Sequence, residues 1–288
     1  MREVLDCLPC YLKQVKNTLN LVGIAEDKAK EVMRATLPVI QALDPHGTPA
    51  ENSTHLLHKV YELLGNRDPF REAKKASNDL ALKMLPQLRN SVNRSPDPLY
   101  SALKVAVAGN IIDMGIVEDI DVEKSVEEAL SVPFARDDYP LFKRLLAELT
   151  GERRVMILGD NSGEIAFDRL LVEQLVSHGV EVTYVVKGGP ILNDATVEDA
   201  EQVHMGDVAR VITTGCDFLG VSFPHSSPAF LEELRSSPLI ISKGQANYES
   251  LESTPYAGGK TFFLLRAKCD VIARSLRVNL GDMVFCRD

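Results

Sequence analysis

Val155-Met156-Ile157-Leu158-Gly159-Asp160-Asn161-Ser162-Gly163-Glu164 is a four-residue apolar run that ends in glycine and a carboxylate and passes directly into a helical stretch, residues 165–178. Four apolar residues are too few for a helix and suit a strand buried on both faces. Gly179 then stops the helix just ahead of a second apolar run, residues 180–186. The same alternation continues through the apolar runs 208–212, 239–241 and 261–265. Short apolar runs separated by helical stretches are the pattern of a parallel sheet with crossover helices. Residues 151–288 are therefore expected to form a doubly wound, mostly parallel α/β core.

Before Thr150-Gly151 the texture differs, with helical periodicity almost throughout and no alternating β-branched runs. In one segment Asp68 suits a cap and Pro69 a first helical position. Phe70, Ala73, Leu80, Met84 and Leu88 then recur at helical spacings. Breaks rich in Pro and Asn at 43–52 and 90–98 divide the helices. The expectation is an all-helical subdomain over residues 1–150, preceding the α/β core.

The chain has 288 residues, 45% apolar and 25% charged, which fits a globular protein and neither a disordered nor a membrane one. A net charge of -9 argues against a nucleic-acid partner, because phosphate backbones are held by clustered Lys and Arg. An anionic substrate would need local positive charge, from lysine or a bound metal ion. No apolar run approaches membrane-spanning length and Met1-Arg2-Glu3-Val4-Leu5-Asp6 lacks a signal-peptide core, so a cytoplasmic protein without a membrane partner is expected. Five cysteines, an odd number, do not form the framework of a small secreted domain. Oligomeric state is not legible.

Ligands of open parallel sheets bind outside the carboxyl ends of the strands. Here those ends read Gly159-Asp160-Asn161-Ser162-Gly163-Glu164, Lys187-Gly188-Gly189 leading to Asn193-Asp194, Thr213-Thr214-Gly215-Cys216-Asp217, Lys243-Gly244-Gln245-Ala246-Asn247 and Arg266-Ala267-Lys268-Cys269. Asp160 and Asn161 offer a carboxylate and an amide oxygen, donors suited to Mg, Mn or a similar ion. Lys243 offers a point charge for a phosphate from another strand end. A second reading stays open, in which Asp160 or Ser162 caps the helix that follows and Asn193-Asp194 marks a helix start. On the helical side, Leu103, Ala106, Asn110 and Asp113 share one helix face of an otherwise apolar segment. Buried Asn110 and Asp113 must either face a cavity or be satisfied by backbone.

Taken in order, Ala108-Gly109-Asn110-Ile111-Ile112-Asp113, Asp160-Asn161-Ser162-Gly163-Glu164, Asn193-Asp194 and Lys243-Gly244-Gln245-Ala246-Asn247-Tyr248 resemble the damage-control phosphatases, domain-of-unknown-function family 89. The resemblance runs from the Cys7 motif to the Cys269 region. It implies a hydrolase using a divalent metal (Mn, Ni, Co or Mg) on small phosphorylated metabolites, sugar phosphates or phosphopantetheine-like compounds. It implies Asp160, Asn161 and Asp194 as metal ligands and catalytic residues, and Lys243 on the phosphate. Asn193, Thr214 and Gly215 would line the pocket, with Asn110 and Asp113 closing it. Glu164 has two open roles, proton carrier or dipole partner at the surface. Two chemistries also stay open: attack by an activated water, or attack by Asp160 itself to give an aspartyl-phosphate.

Cys7-Leu8-Pro9-Cys10 has the spacing of half a metal site, which Cys269 and Cys286 would extend to a second metal or redox site if the termini meet; a free or redox-active pair, or buried apolar filler, stays open beside it. The pair also resembles the cysteine-bearing microbial branch of the same family. His55 and His58 lie one turn apart and with Glu62 form a weaker ligand candidate. Two rivals remain: an S-adenosylmethionine-dependent methyltransferase, suggested by residues 155–160, and a non-catalytic metal- or metabolite-binding protein.

Overall fold

The structure, a computed structural model, describes residues 1–108 and 130–287. The first half forms α1 (Cys7–Val22), α2 (Glu26–Gln41), α3 (Pro49–Leu64), α4 (Arg71–Arg94) and α5 (Pro98–Ala108). Helix α3 has the end signals its sequence promises: Thr48 accepts a hydrogen bond from the Glu51 amide, Pro49 opens the first turn, and Gly65 leaves it at φ 63°. Helix α4 starts later than Pro69, because the chain is still turning there and Asp68 is not its cap. Its buried face runs from Lys74 and Asn78 through Ala81, Met84, Leu88 and Val92, so two polar residues face inward ahead of the apolar stripe.

The described chain continues with β1 (Arg136–Asp137), α6 (Tyr139–Glu148), β2 (Arg154–Leu158), α7 (Glu164–Ser177), β3 (Glu181–Val186), α8 (Val197–Gln202), β4 (Arg210–Thr213), α9 (Pro228–Ser236), β5 (Ile240–Lys243), α10 (Gln245–Leu251), β6 (Thr261–Arg266), α11 (Asp270–Leu276) and β7 (Met283–Arg287). One sheet of seven strands has the order β1-β7-β6-β5-β2-β3-β4. Strands β2 to β6 pair in parallel, as their apolar runs predict. Strand β7 is antiparallel to β6, and β1 pairs with β7. Neither of these two was expected from sequence. The two-residue β1 lies within the half read as all-helical, too short to leave a periodic signal, and is held by the Ala135 amide donating to the Met283 carbonyl and the Asp138 amide to the Phe285 carbonyl.

Alternation along β2 shows why the sheet is wound on both faces. Val155 and Ile157 join an apolar cluster with Leu88, Leu103 and Leu171, whereas Met156 and Leu158 join another with Phe230, Leu234 and Leu251. Each such side chain, fully buried, contributes roughly 1.5–3 kcal/mol. The first cluster draws on α4 and α5 as well as the sheet, so apolar residues on both sides of residue 150 pack together. From β2 the chain moves outward to β3 and β4, then returns to place β5 on the other side of β2. This reversal opens a crevice at the carboxyl ends of β2 and β5. No helix among the described residues is long and apolar enough to cross a membrane.

Candidate active site

The loop after β2 is laced to the loop after β3. The Ser162 amide donates to the Asn193 carbonyl at 2.8 Å and the Ala195 amide to the Asp160 carbonyl at 2.8 Å, and Asn161 forms an isolated antiparallel bridge with Asp194. Residues distant in the chain are thus held side by side at the crevice. From the other side comes Gly244, at the end of β5, with φ +79°. A Cβ there would lie 2.0 Å from Asp160 Oδ2, so only glycine lets β5 approach this carboxylate.

Asp160, Asn161, Asn193 and Asp194 line a cavity of about 570 Å³ whose other walls come from α1, α3, α10 and the β6–α11 loop. Burial pushes the Asp160 carboxyl well above the usual carboxylate range, Glu164 and Asp194 push it further, and Lys268 and Lys243 pull it partly back. Asp194 is raised by burial as well, against the pull of Lys187, whose Nζ lies 3.5 Å from Oδ2. The Asn161 Nδ2 donates to Asp160 Oδ2 at 3.2 Å and to Glu164 Oε1 at 3.1 Å. The amide nitrogen is thus engaged by two carboxylates, and Oδ1 makes no hydrogen bond among the described residues.

The capping alternative fails on geometry. The Gly163 amide at the start of α7 donates to Asn78 Oδ1 from α4 at 2.6 Å, and Ser162 Oγ has no hydrogen-bond partner among the described residues. Asp160 and Asn161 are therefore not engaged as the cap of α7. Asn78 was not foreseen, although an Asn on the inward face of an amphipathic helix was the available signal.

Three expectations need correction. Lys243 does not face the cavity; it is 1% exposed, and its Nζ lies 2.6 Å from Asp168 Oδ1 and 3.0 Å from Glu164 Oε2. Burial alone would lower its pKa, but these carboxylates raise it above the usual lysine value. Glu164 is buried rather than at the surface, between Lys243 and Asn161. Thr214 and Gly215 do not line the cavity either. Thr214 Oγ1 accepts from the Gly188 amide at 3.3 Å and donates to the Cys216 carbonyl at 2.9 Å, while Gly188 packs directly on Gly215 and Cys216. They brace the turn carrying Lys187, which in turn pairs with Asp194. Asn110 and Asp113 lie outside the described residues.

Lys268, quoted in the sequence only as part of a strand end, was given no role there. It is exposed, lines the cavity, makes no ion pair among the described residues, and acts electrostatically on both Asp160 and Asp194. Its backbone amide donates to Gln245 Oε1 at 3.3 Å, and Gln245 Nε2 donates to Glu249 Oε1 at 3.0 Å.

Cys7, Cys10 and Cys269 do converge on this cavity, as free thiols. Burial, then Cys269 and Glu249, raise the Cys10 thiol, against its being a ready thiolate. Among the described residues no three His, Cys, Asp or Glu side chains are grouped so as to hold a metal, so the cysteines form no such cluster. The Asp160, Asn161 and Asp194 set has only two carboxylates, its third donor being an amide. Of the histidines, His58 Nε2 lies 3.2 Å from Asp217 Oδ2 and His55 packs edge-on against Phe218, while Glu62 pairs with Lys59.

The profile of the damage-control phosphatase ARMT1-like domain matches residues 4–284. A protein of Archaeoglobus fulgidus named damage-control phosphatase is 33% identical over 291 residues, covering 96% of this chain and 96% of the relative. A damage-control phosphatase of Pyrococcus horikoshii is 31% identical, covering 100% of this chain and 99% of the relative. The crystal structure of a duf89 family protein from Pyrococcus horikoshii superposes with a TM-score of 0.90 at 30% identity, covering 100% of this chain and 99% of that one. These likenesses favour the phosphatase reading over the methyltransferase.

Proposed function

The chain belongs to the damage-control phosphatase ARMT1-like family, and from that membership and the site we propose a metal-dependent hydrolase of phosphate monoesters of small metabolites. Sugar phosphates and phosphopantetheine-like compounds are the substrate classes in view, and the odd set of free cysteines supports action in the cytoplasm. One observation carries the metal dependence: the half-buried Asp160, the buried Asp194 and the Asn161 side chain, its amide nitrogen engaged by Asp160 and Glu164, meet at the sheet's reversal point. That donor set is all oxygen, which fits Mg or Mn, with Co and Ni as further candidates.

Asp160, Asn161 Oδ1 and Asp194 would hold the ion. When bound it would act as a Lewis acid toward the phosphoryl group and lower the pKa of a nearby water. Lys268 supplies the local positive charge that an acidic protein needs to receive a phosphate. Gln245 and Glu249 hold that loop in place and offer hydrogen bonds to the rest of the substrate. The walls from α1 and α3 screen the reacting group from bulk water. The alternative route is attack of an Asp160 carboxylate oxygen on phosphorus with departure of the ester oxygen, giving an aspartyl-phosphate that water then hydrolyses.

The test is phosphate release from a panel of phosphometabolites with added Mn, Co, Ni or Mg. Asp160→Asn and Asp194→Asn are expected to lower kcat/KM by roughly two orders of magnitude or more. Absence of metal-stimulated release across the panel, or full activity in both variants, would overturn the proposal.

A further inference from the structure

We propose that Lys243 and Glu164 are positioning residues whose joint task is to fix the Asn161 amide with its oxygen toward the ion, and that Lys243 does not touch the phosphate. The inference rests on Asp160, Asn161 and Asp194 being the metal set.

Hydrogen bonds and one ion pair form a continuous buried chain. The Tyr184 hydroxyl donates to Asp168 Oδ2 at 2.6 Å, and Asp168 Oδ1 pairs with Lys243 Nζ at 2.6 Å. Lys243 Nζ then donates to Glu164 Oε2 at 3.0 Å, and Glu164 Oε1 accepts from Asn161 Nδ2 at 3.1 Å. Asp168 and Lys243 are at most 1% exposed and Glu164 only 5%. An amide side chain can rotate so that oxygen and nitrogen exchange places. Only an acceptor on one side fixes which of them faces the site. Glu164 is such an acceptor, beside Asp160 Oδ2, and its other oxygen is held by Lys243. If Lys243 turned to a substrate, Glu164 and Asp168 would be left as unpaired buried charges. Glu164 and Asp168 are four residues apart on α7, so one lysine from β5 reaches both.

The experiment measures Mn2+ binding to metal-free protein by calorimetry, and inhibition by inorganic phosphate at saturating Mn2+, for the wild type, Lys243→Met, Lys243→Arg, Glu164→Gln, Tyr184→Phe and Lys268→Met. Positioning predicts that Lys243→Met and Glu164→Gln weaken Mn2+ binding about tenfold. Lys243→Arg recovers part of the loss in Lys243→Met, and Tyr184→Phe loses a few-fold. Inhibition by phosphate is unchanged in the Lys243 variants and weakened in Lys268→Met. A purely electrostatic role for Lys243 has the opposite sign, because deleting a nearby cation tightens binding of another. Unchanged or tighter Mn2+ binding in Lys243→Met sinks the inference, as does weakened inhibition by phosphate in that variant. Should Lys243→Met fail to fold, Glu164→Gln and Tyr184→Phe decide, and wild-type Mn2+ affinity in both overturns it. A wild type that binds no divalent ion defeats the functional reading itself, and the inference with it. Wild-type binding with indifferent variants defeats the inference alone.

Discussion

Glu249, on the cavity side of α10, shows how one residue can carry a pH dependence. It is buried, accepts from Gln245 Nε2, and burial pushes its carboxyl from 4.5 up to about 7. Because the folded state holds its proton more tightly than the unfolded chain, this residue's contribution is present below about pH 4.5 and is lost as pH rises to about 7. The loss is on the order of 3 kcal/mol at most, from about 1.4 kcal/mol per pKa unit. Glu249→Gln, which imitates the protonated acid, should therefore gain on the wild type in thermal unfolding as pH is raised from 4.5 to 8. A constant difference over that range would show that Glu249 does not titrate this way. Asp160, Asn161 and Asp194 were legible at this scale, since a strand end says where a polar residue lies. Lys243 was misread because a strand end does not say which face the side chain takes. The missing clue was in α7, where Glu164 and Asp168 sit four residues apart among Ile165, Phe167, Leu170 and Leu171, two buried carboxylates in need of a cation.

Elements meet at the site through close backbone approach, and Gly244 between β5 and α10 is where that is tightest. Gly244→Ala combines a left-handed φ of +79° with a Cβ inside contact distance of the Asp160 carboxylate. With ψ at 165°, this is a region essentially only glycine enters, and the backbone penalty alone is roughly 1–3 kcal/mol. Gly179, between α7 and β3, is a fair control, having φ +72° and nothing within 4 Å of an added Cβ. Both alanine variants should lose stability, but only Gly244→Ala should also lose Mn2+ binding by an order of magnitude or more. Equal Mn2+ affinity in the two would mean that Asp160 can shift without consequence. The parallel strands β2, β3, β5 and β6 were legible as buried apolar runs, and β4 from the apolar pair Val211-Ile212, although that strand is only half-buried. Strand β7 was not counted among those runs, and β1 gains its place from hydrogen bonds to β7 rather than from any period of its own.

At the scale of the whole molecule, the site exists only when the chain is folded, since Asp160 and Asp194 come from different loops and meet through the bridge at Asn161. An ion held there binds the folded state and barely the unfolded one, so it must raise stability. At a hundred times its Kd the gain is about 2.7 kcal/mol. For a chain longer than 250 residues, roughly 2–4 °C per kcal/mol makes that a rise of about 5–10 °C in Tm. The rise should reverse with a chelator and vanish in Asp160→Asn combined with Asp194→Asn. Its pH dependence has a definite sign. Both aspartates hold protons above the usual carboxylate range, and a proton competes with the ion for the same oxygens. The rise should thus shrink as pH falls, even though the metal-free protein is relieved of buried charge in the same direction. A metal-induced shift of equal size in the double variant would instead locate the ion on the general surface of a chain carrying a net charge of -9, where added salt abolishes it by screening.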